Sequence, residues 1–102
     1  MLKAIFDERF VIPDPVEPTP DGLGLQPYVG PSLTVGGELD KLAFNIGMAR
    51  VMAGIHWRSD VVEGNRLGEA VSIGIMEDMK PAYNEPYSGY TLTRLDGTTV
   101  RI

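Results

Sequence analysis

The sequence predicts a mainly α fold: a helical hairpin, in effect a partial helix bundle, with an extended Pro-rich N-terminal arm and a C-terminal β-hairpin. Three changes of pattern along the 102 residues predict it. Six prolines fall between Val11 and Ser32, apolar residues then recur at helical spacing to about residue 80, and the closing segment alternates around Asp96-Gly97. The chain reads as a single partial domain, 1–102, made of an arm (1–33), a helical hairpin (34–80) and a β-hairpin (90–102).

In the arm, Pro13, Pro15, Pro18, Pro20, Pro27 and Pro31 remove backbone donors, and Gly22, Gly24 and Gly30 add freedom. Neither a helix nor a central strand persists through such a stretch. Its apolar residues, among them Val11, Ile12, Val16, Leu23, Leu25, Tyr28 and Val29, imply that it lies along a surface; a free linker is richer in serine and charge.

Leu39, Leu42, Ala43, Ile46, Ala49, Arg50 and Ala53 then share one helical face, which predicts a helix from about Gly36 to Ile55. Thr34 is placed to cap it, and Glu38 sits near the positive end of its dipole. Gly47, Ala49, Ala53 and Gly54 form a small-residue tract that suits either close helix packing or room beside a bound anion. A second helix is expected from Asp60 to Met79, with Ser59 or Asp60 as the cap and Glu63 in the capping-box position for Asp60. Its stripe is Gly64, Leu67, Gly68, Val71, Gly74 and Ile75, and Lys80-Pro81 stops it. Beyond a loop at 81–89, Tyr90–Leu95 and Thr98–Ile102 alternate on either side of Asp96-Gly97, a hairpin signature.

With 43% apolar and 23% charged residues, the composition is that of an ordinary globular domain. A formal net charge of −5 with no Lys/Arg run argues against nucleic acid or an anionic membrane surface as the partner. No run approaches the roughly 20 apolar residues that span a bilayer, so a cytoplasmic location is the expectation. The absence of cysteine removes thiol catalysis and Cys-ligated metals, leaving His, Ser, Thr, Asp, Glu, Lys or Tyr as any covalent nucleophile.

The chemistry concentrates in Arg50, His56 and Asp60, a set that contains the only histidine. A guanidinium can fork onto the oxygens of an oxyanion. A neutral imidazole can attack a phosphoryl group or ligate a metal through one nitrogen while the other donates to a carboxylate. Asp60, one helical turn after His56, can orient that ring, cap the second helix, or do both with its two oxygens. On an ideal helix Arg50 and His56 would stand about 9 Å apart along the axis, a gap that a long side chain and a shared anion could close.

The runs Leu33–Leu39, Glu38–Ile46, Ala53–Asp60, Leu67–Ala70 and Leu92–Thr99 resemble the C-terminal part of bacterial vanadium-dependent haloperoxidases and of their relatives, the type 2 phosphatidic acid phosphatases. The wording His-Trp-Arg-Ser-Asp leans to the haloperoxidases. The resemblance implies that Arg50 binds an oxygen of vanadate or phosphate, and that His56 is the vanadium ligand or, in a phosphatase, the nucleophile. Asp60 would hold the far nitrogen of His56. It also implies a Lys and an Arg-Pro pair, and a Pro-Ser-Gly-His segment, that this chain lacks: Lys3 and Arg9 have the wrong spacing, and Pro31-Ser32 is followed by Leu33-Thr34.

The expectation is therefore the rear part of an active site, as a truncated gene, a fragment or one half of a split protein, with vanadate as the family's cofactor. Such a chain would be inactive alone and would act as a homo-oligomer or with a complementary chain. The alternatives are a phosphomonoesterase segment using His56, and a non-catalytic oligomerising module.

Overall fold

The computed structural model describes residues 1–102, in the order α1 (Leu2–Ile5), β1 (Val16–Pro18), β2 (Leu25–Pro27), α2 (Val35–Met52), α3 (Arg58–Met79), a 3-10 turn (Lys80–Ala82), β3 (Thr91–Thr93) and β4 (Thr99–Arg101). The architecture is the expected one, a helical hairpin between an extended arm and a C-terminal β-hairpin. No helix is long and apolar enough to cross a membrane.

α2 begins where Thr34 was expected to cap it, its hydroxyl accepting the N–H of Gly37 at 3.2 Å. It ends three residues earlier than its apolar periodicity predicts. Gly54 is left-handed, at φ 72°, its N–H reaching the Val51 carbonyl while that of Ile55 reaches Arg50. These two bonds satisfy the last carbonyls of α2 in the Schellman arrangement, and the chain leaves the helix axis there. The second helix starts two residues before Asp60, with Trp57 as its N-cap. α2 and α3 touch closely at Gly47: a Cβ added there would collide with Cγ1 of Val61, itself 9% exposed. For Gly47, then, close helix packing accounts for the missing side chain.

Thr91–Thr93 pairs antiparallel with Thr99–Arg101, and two further backbone bonds between Tyr90 and Ile102 extend the ladder to the last residue. The connection is a three-residue loop. Gly97 donates to the Arg94 carbonyl and takes φ 84°, while Arg94 donates to Thr98, so Asp96-Gly97 closes a turn followed by a glycine bulge instead of a two-residue turn. This hairpin and the C-terminal half of α3 make the one enclosed core, Met76, Leu92 and Ile102, with Ala4, Ile73, Tyr90 and Val100 packed against it.

The arm is extended, yet it contains a feature that its proline content hid. Val16–Pro18 pairs antiparallel with Leu25–Pro27 across a turn in which Gly22 donates to the Thr19 carbonyl. A two-stranded ribbon has only edges, so proline's missing N–H can face away from the ladder. The first ten residues are stitched to the rest. Lys3 Nζ donates to Asp40 at 2.7 Å and to the Thr93 carbonyl at 2.9 Å, and the Glu8 carboxylate accepts both the N–H and the hydroxyl of Thr93.

Much apolar surface remains uncovered. Only five of the 102 residues are buried, and the radius of gyration is 17.0 Å, where a compact chain of this length has about 13 Å. The accessible surface, 7780 Å², exceeds by roughly 2,100 Å² what a folded monomer of this mass exposes. Between α2, α3 and the β-hairpin lies an open groove of ≈ 470 Å³ whose walls include Leu39, Leu42, Ile46, Ile73 and Met76.

Candidate functional site

Arg50, His56 and Asp60 are brought to the turn between α2 and α3, but not on one continuous helix. Arg50 lies in the last turn of α2, where a cation complements the negative end of the dipole. Its backbone carbonyl is held by the Ile55 N–H at 3.2 Å, while its guanidinium makes no ion pair. His56 follows the left-handed Gly54 and stands outside both helices. The helical rise expected between Arg50 and His56 therefore does not apply, because the backbone turns between them.

Asp60 occupies the third position of α3. Its Oδ2 accepts the backbone N–H of Trp57 at 3.0 Å and approaches Nδ1 of His56 at 3.4 Å. One oxygen thus does both jobs, where two were expected to share them. Trp57 has no side-chain acceptor, so the reciprocal bond of a capping box is replaced by its backbone carbonyl, which receives the Asp60 N–H at 3.1 Å. The carboxylate fixes the first turn of α3 and, through it, the place of His56. Contact through Nδ1 leaves Nε2 of the ring without a protein partner.

All three side chains are exposed, those of His56 and Asp60 at 50% and 47%. None of them lines the apolar groove. The turn also carries Trp57, the single tryptophan, at 80% exposure. Sequence reasoning missed its part in the site, since a tryptophan has no capping propensity. The available signal was Asp60 three residues on, which can reach back to the N-cap N–H whatever the side chain there.

Lys3, the first cation of the chain, is at the other end of α2 and already committed to Asp40 and Thr93. The residues that flank the turn thus include Arg50, whose guanidinium makes no ion pair, His56 with Nε2 unpartnered, and Arg58 as the first residue of α3 at the positive end of that helix's dipole. Such a set can meet part of an oxyanion's charge. No group of three or more His, Cys, Asp or Glu side chains is arranged to hold a metal ion by itself.

No protein-family model matches the chain, and no solved structure does. Curated sequences do. Over 104 aligned positions, all of this chain, it is 44% identical to a vanadium-dependent bromoperoxidase of Corallina officinalis and 43% identical to one of Corallina pilulifera. A vanadium-dependent bromoperoxidase of Ascophyllum nodosum is 48% identical over 61 residues, 60% of the chain. By sequence the chain is homologous, along its whole length, to a segment of the two Corallina vanadium-dependent bromoperoxidases. It spans 17% of the length of the two Corallina relatives and 11% of the Ascophyllum one.

Proposed function

We propose that this chain is the part of a haloperoxidase-like protein that provides Arg50 and His56 to a vanadate-type oxyanion, with Asp60 as the residue that positions His56. The observation that carries the reading is the Asp60 carboxylate, joined at once to the N–H of the N-cap residue Trp57 and to Nδ1 of His56, which leaves Nε2 without a protein partner. The donor set fits vanadate in kind: an imidazole nitrogen for one coordination position and a guanidinium fork for the oxygens. When bound, vanadate in such proteins supplies Lewis-acid activation of peroxide toward halide.

This chain's own residues orient the ring, hold the proton on Nδ1 toward Asp60 and attract the anion. They do not neutralise it: one arginine leaves most of a trianion's charge for donors outside these 102 residues, and preorganised electrostatics is usually the largest catalytic contribution. A phosphomonoesterase reading would use the same Nε2 as the phosphoryl acceptor. The names of the relatives favour the peroxidase.

The test is a chimera in which residues 1–102 replace the aligned segment of the Corallina officinalis bromoperoxidase. Bromide oxidation should survive the exchange and be lost on His56→Ala. An active chimera indifferent to His56→Ala would overturn the assignment. For the chain alone, orthovanadate titration followed by Trp57 fluorescence should show weak binding abolished in His56→Ala, and halide oxidation should be negligible. Robust oxidation by the isolated chain would show that the site is complete without other donors.

A further inference from the structure

Gly22, Gly54, Gly89 and Gly97 hold a backbone with positive φ, and of these Gly54 alone falls between Arg50 and His56. Its φ is 72°, and a Cβ built on it meets nothing within 4 Å. No neighbour claims the space of a side chain there, so what glycine supplies at this position is the conformation, not the room. Gly47 is the opposite case, a helical glycine whose added Cβ collides with Val61. The effect of the conformation is visible in two hydrogen bonds. Ala53 is still right-handed, at φ −73° and ψ −3°. The reversal at Gly54 then brings its own N–H to the Val51 carbonyl at 2.9 Å and that of Ile55 to the Arg50 carbonyl at 3.2 Å. The second bond closes a ring that begins at Arg50 and ends one residue before His56. The Arg50 backbone is thereby tied to the segment that leads into His56, while Asp60 holds the imidazole from the far side, its Oδ2 3.4 Å from Nδ1.

We propose that Gly54 is a positioning residue: its left-handed backbone sets where His56 stands relative to Arg50, so that both address one oxyanion. The inference rests on the oxyanion reading for its ligand and on the two backbone bonds for its geometry. Alanine disfavours the left-handed region, because its Cβ crowds the following carbonyl oxygen. With alanine at residue 54, the turn relaxes out of that geometry in the free protein, and restoring it around a bound anion costs affinity. Asparagine adopts the left-handed region as a single residue and serves in the same place after helices, so it should keep the turn.

Equilibrium dialysis of orthovanadate against the chimera described above, first freed of vanadate, tests this without reference to turnover. Gly54→Ala should raise the dissociation constant about five-fold, and Gly54→Asn should stay within about two-fold of the parent. Gly47→Ala, which disturbs the helix contact at Val61 instead, should leave the constant unchanged. An unaltered constant in Gly54→Ala, with binding still lost in His56→Ala, would overturn the positioning role and leave the oxyanion reading standing. Equal weakening by Gly54→Ala and Gly47→Ala would also overturn it, because the effect would then be general loosening. If the parent binds no orthovanadate, or His56→Ala binds it as the parent does, the oxyanion reading fails and the imidazole itself decides on Gly54. In the 102-residue chain, the Nδ1 and Nε2 resonances of His56 should shift in Gly54→Ala and return in Gly54→Asn. Ring resonances indifferent to Gly54→Ala would show that Gly54 does not place the ring.

Discussion

At the β-hairpin end of α3, Met76, Leu92 and Ile102 close around one another at 3, 7 and 5% exposure; at the opposite end of the same helix His56, Trp57 and Asp60 stand in solvent. The first region is ordered by burial, the second by caps: the Schellman bonds at Gly54 and the Asp60 bond to Trp57. Burial resists change cooperatively, because removing one side chain leaves its neighbours without contacts. A capped turn loses one bond at a time, so it tolerates substitution in the fold while its geometry shifts. The region with Arg50, His56 and Asp60 is thus the less stabilised of the two.

The sharpest way to break this contrast is to cut the core. Met76→Ala should cost about 2–5 kcal/mol, a large share of what a domain of this size has, so the thermal transition followed by circular dichroism should fall steeply or vanish. Trp57→Ala, on the exposed turn, should leave it nearly unmoved. If the two substitutions had equal effects, stability would not be divided as described.

Next in size is the contact that joins the two regions. Gly47→Ala drives a methyl against Val61. Overpacking costs about 1–3 kcal/mol, offset in part by the roughly 1 kcal/mol that alanine gains over glycine in a helix. Net destabilisation of about 1 kcal/mol is expected, and Val61→Ala should relieve the clash, so that in a double-mutant cycle the pair is less destabilised than the two single changes summed. Additive behaviour would mean that the helices do not meet there.

How much of this could be read from the sequence differs by region for physical reasons. Periodicity placed α2 and α3, and Thr34 marked the first helix start, because those signals are local. The end of α2 was misplaced by three residues: Ala53 and Ile55 keep the apolar rhythm, and Gly54 was counted among small packing residues although a glycine after the last turn is a stop signal. In the arm, the proline count hid the pairing of Val16–Pro18 with Leu25–Pro27, while Thr19-Pro20-Asp21-Gly22 had the composition of a tight turn. Arg50, His56 and Asp60 could be singled out by residue type and spacing. That one Asp60 oxygen serves both Trp57 and His56 could not, since it depends on where the helix starts.

Gly54 also gives a way to move the turn without touching the core. No atom lies within 4 Å of a Cβ added there, so Gly54→Ala meets only the cost of a left-handed backbone, about 1 kcal/mol. Global stability should fall by no more than that. The amide signals of Ile55 to Asp60 should shift, while those of the Leu92–Ile102 ladder stay in place. Shifts spread evenly over both regions would show that the two ends of α3 are coupled.

The smallest effect concerns the β-hairpin turn, the part of the stabilised region that titrates. Asp96 accepts the Thr98 hydroxyl at 2.6 Å and the Thr98 N–H at 2.8 Å, and these bonds, the hydroxyl foremost and Arg94 nearby, hold its carboxyl below the usual carboxylate range. A depressed folded-state pKa stabilises at pH values above the ordinary value of about 3.9, and the contribution is lost as the pH falls through the lower folded value. Asp96 is fully exposed, so the change should be confined to the turn. In an acid titration by NMR, the Thr98 amide should move only at a pH below that at which an ordinary carboxylate titrates, while the amides of Tyr90 and Ile102, held by backbone bonds alone, should not follow. Asp96→Asn should remove the step. A Thr98 amide that titrates at the ordinary carboxylate pH would mean that the bond to Asp96 does not favour the charged form, and that Gly97 alone sets the turn.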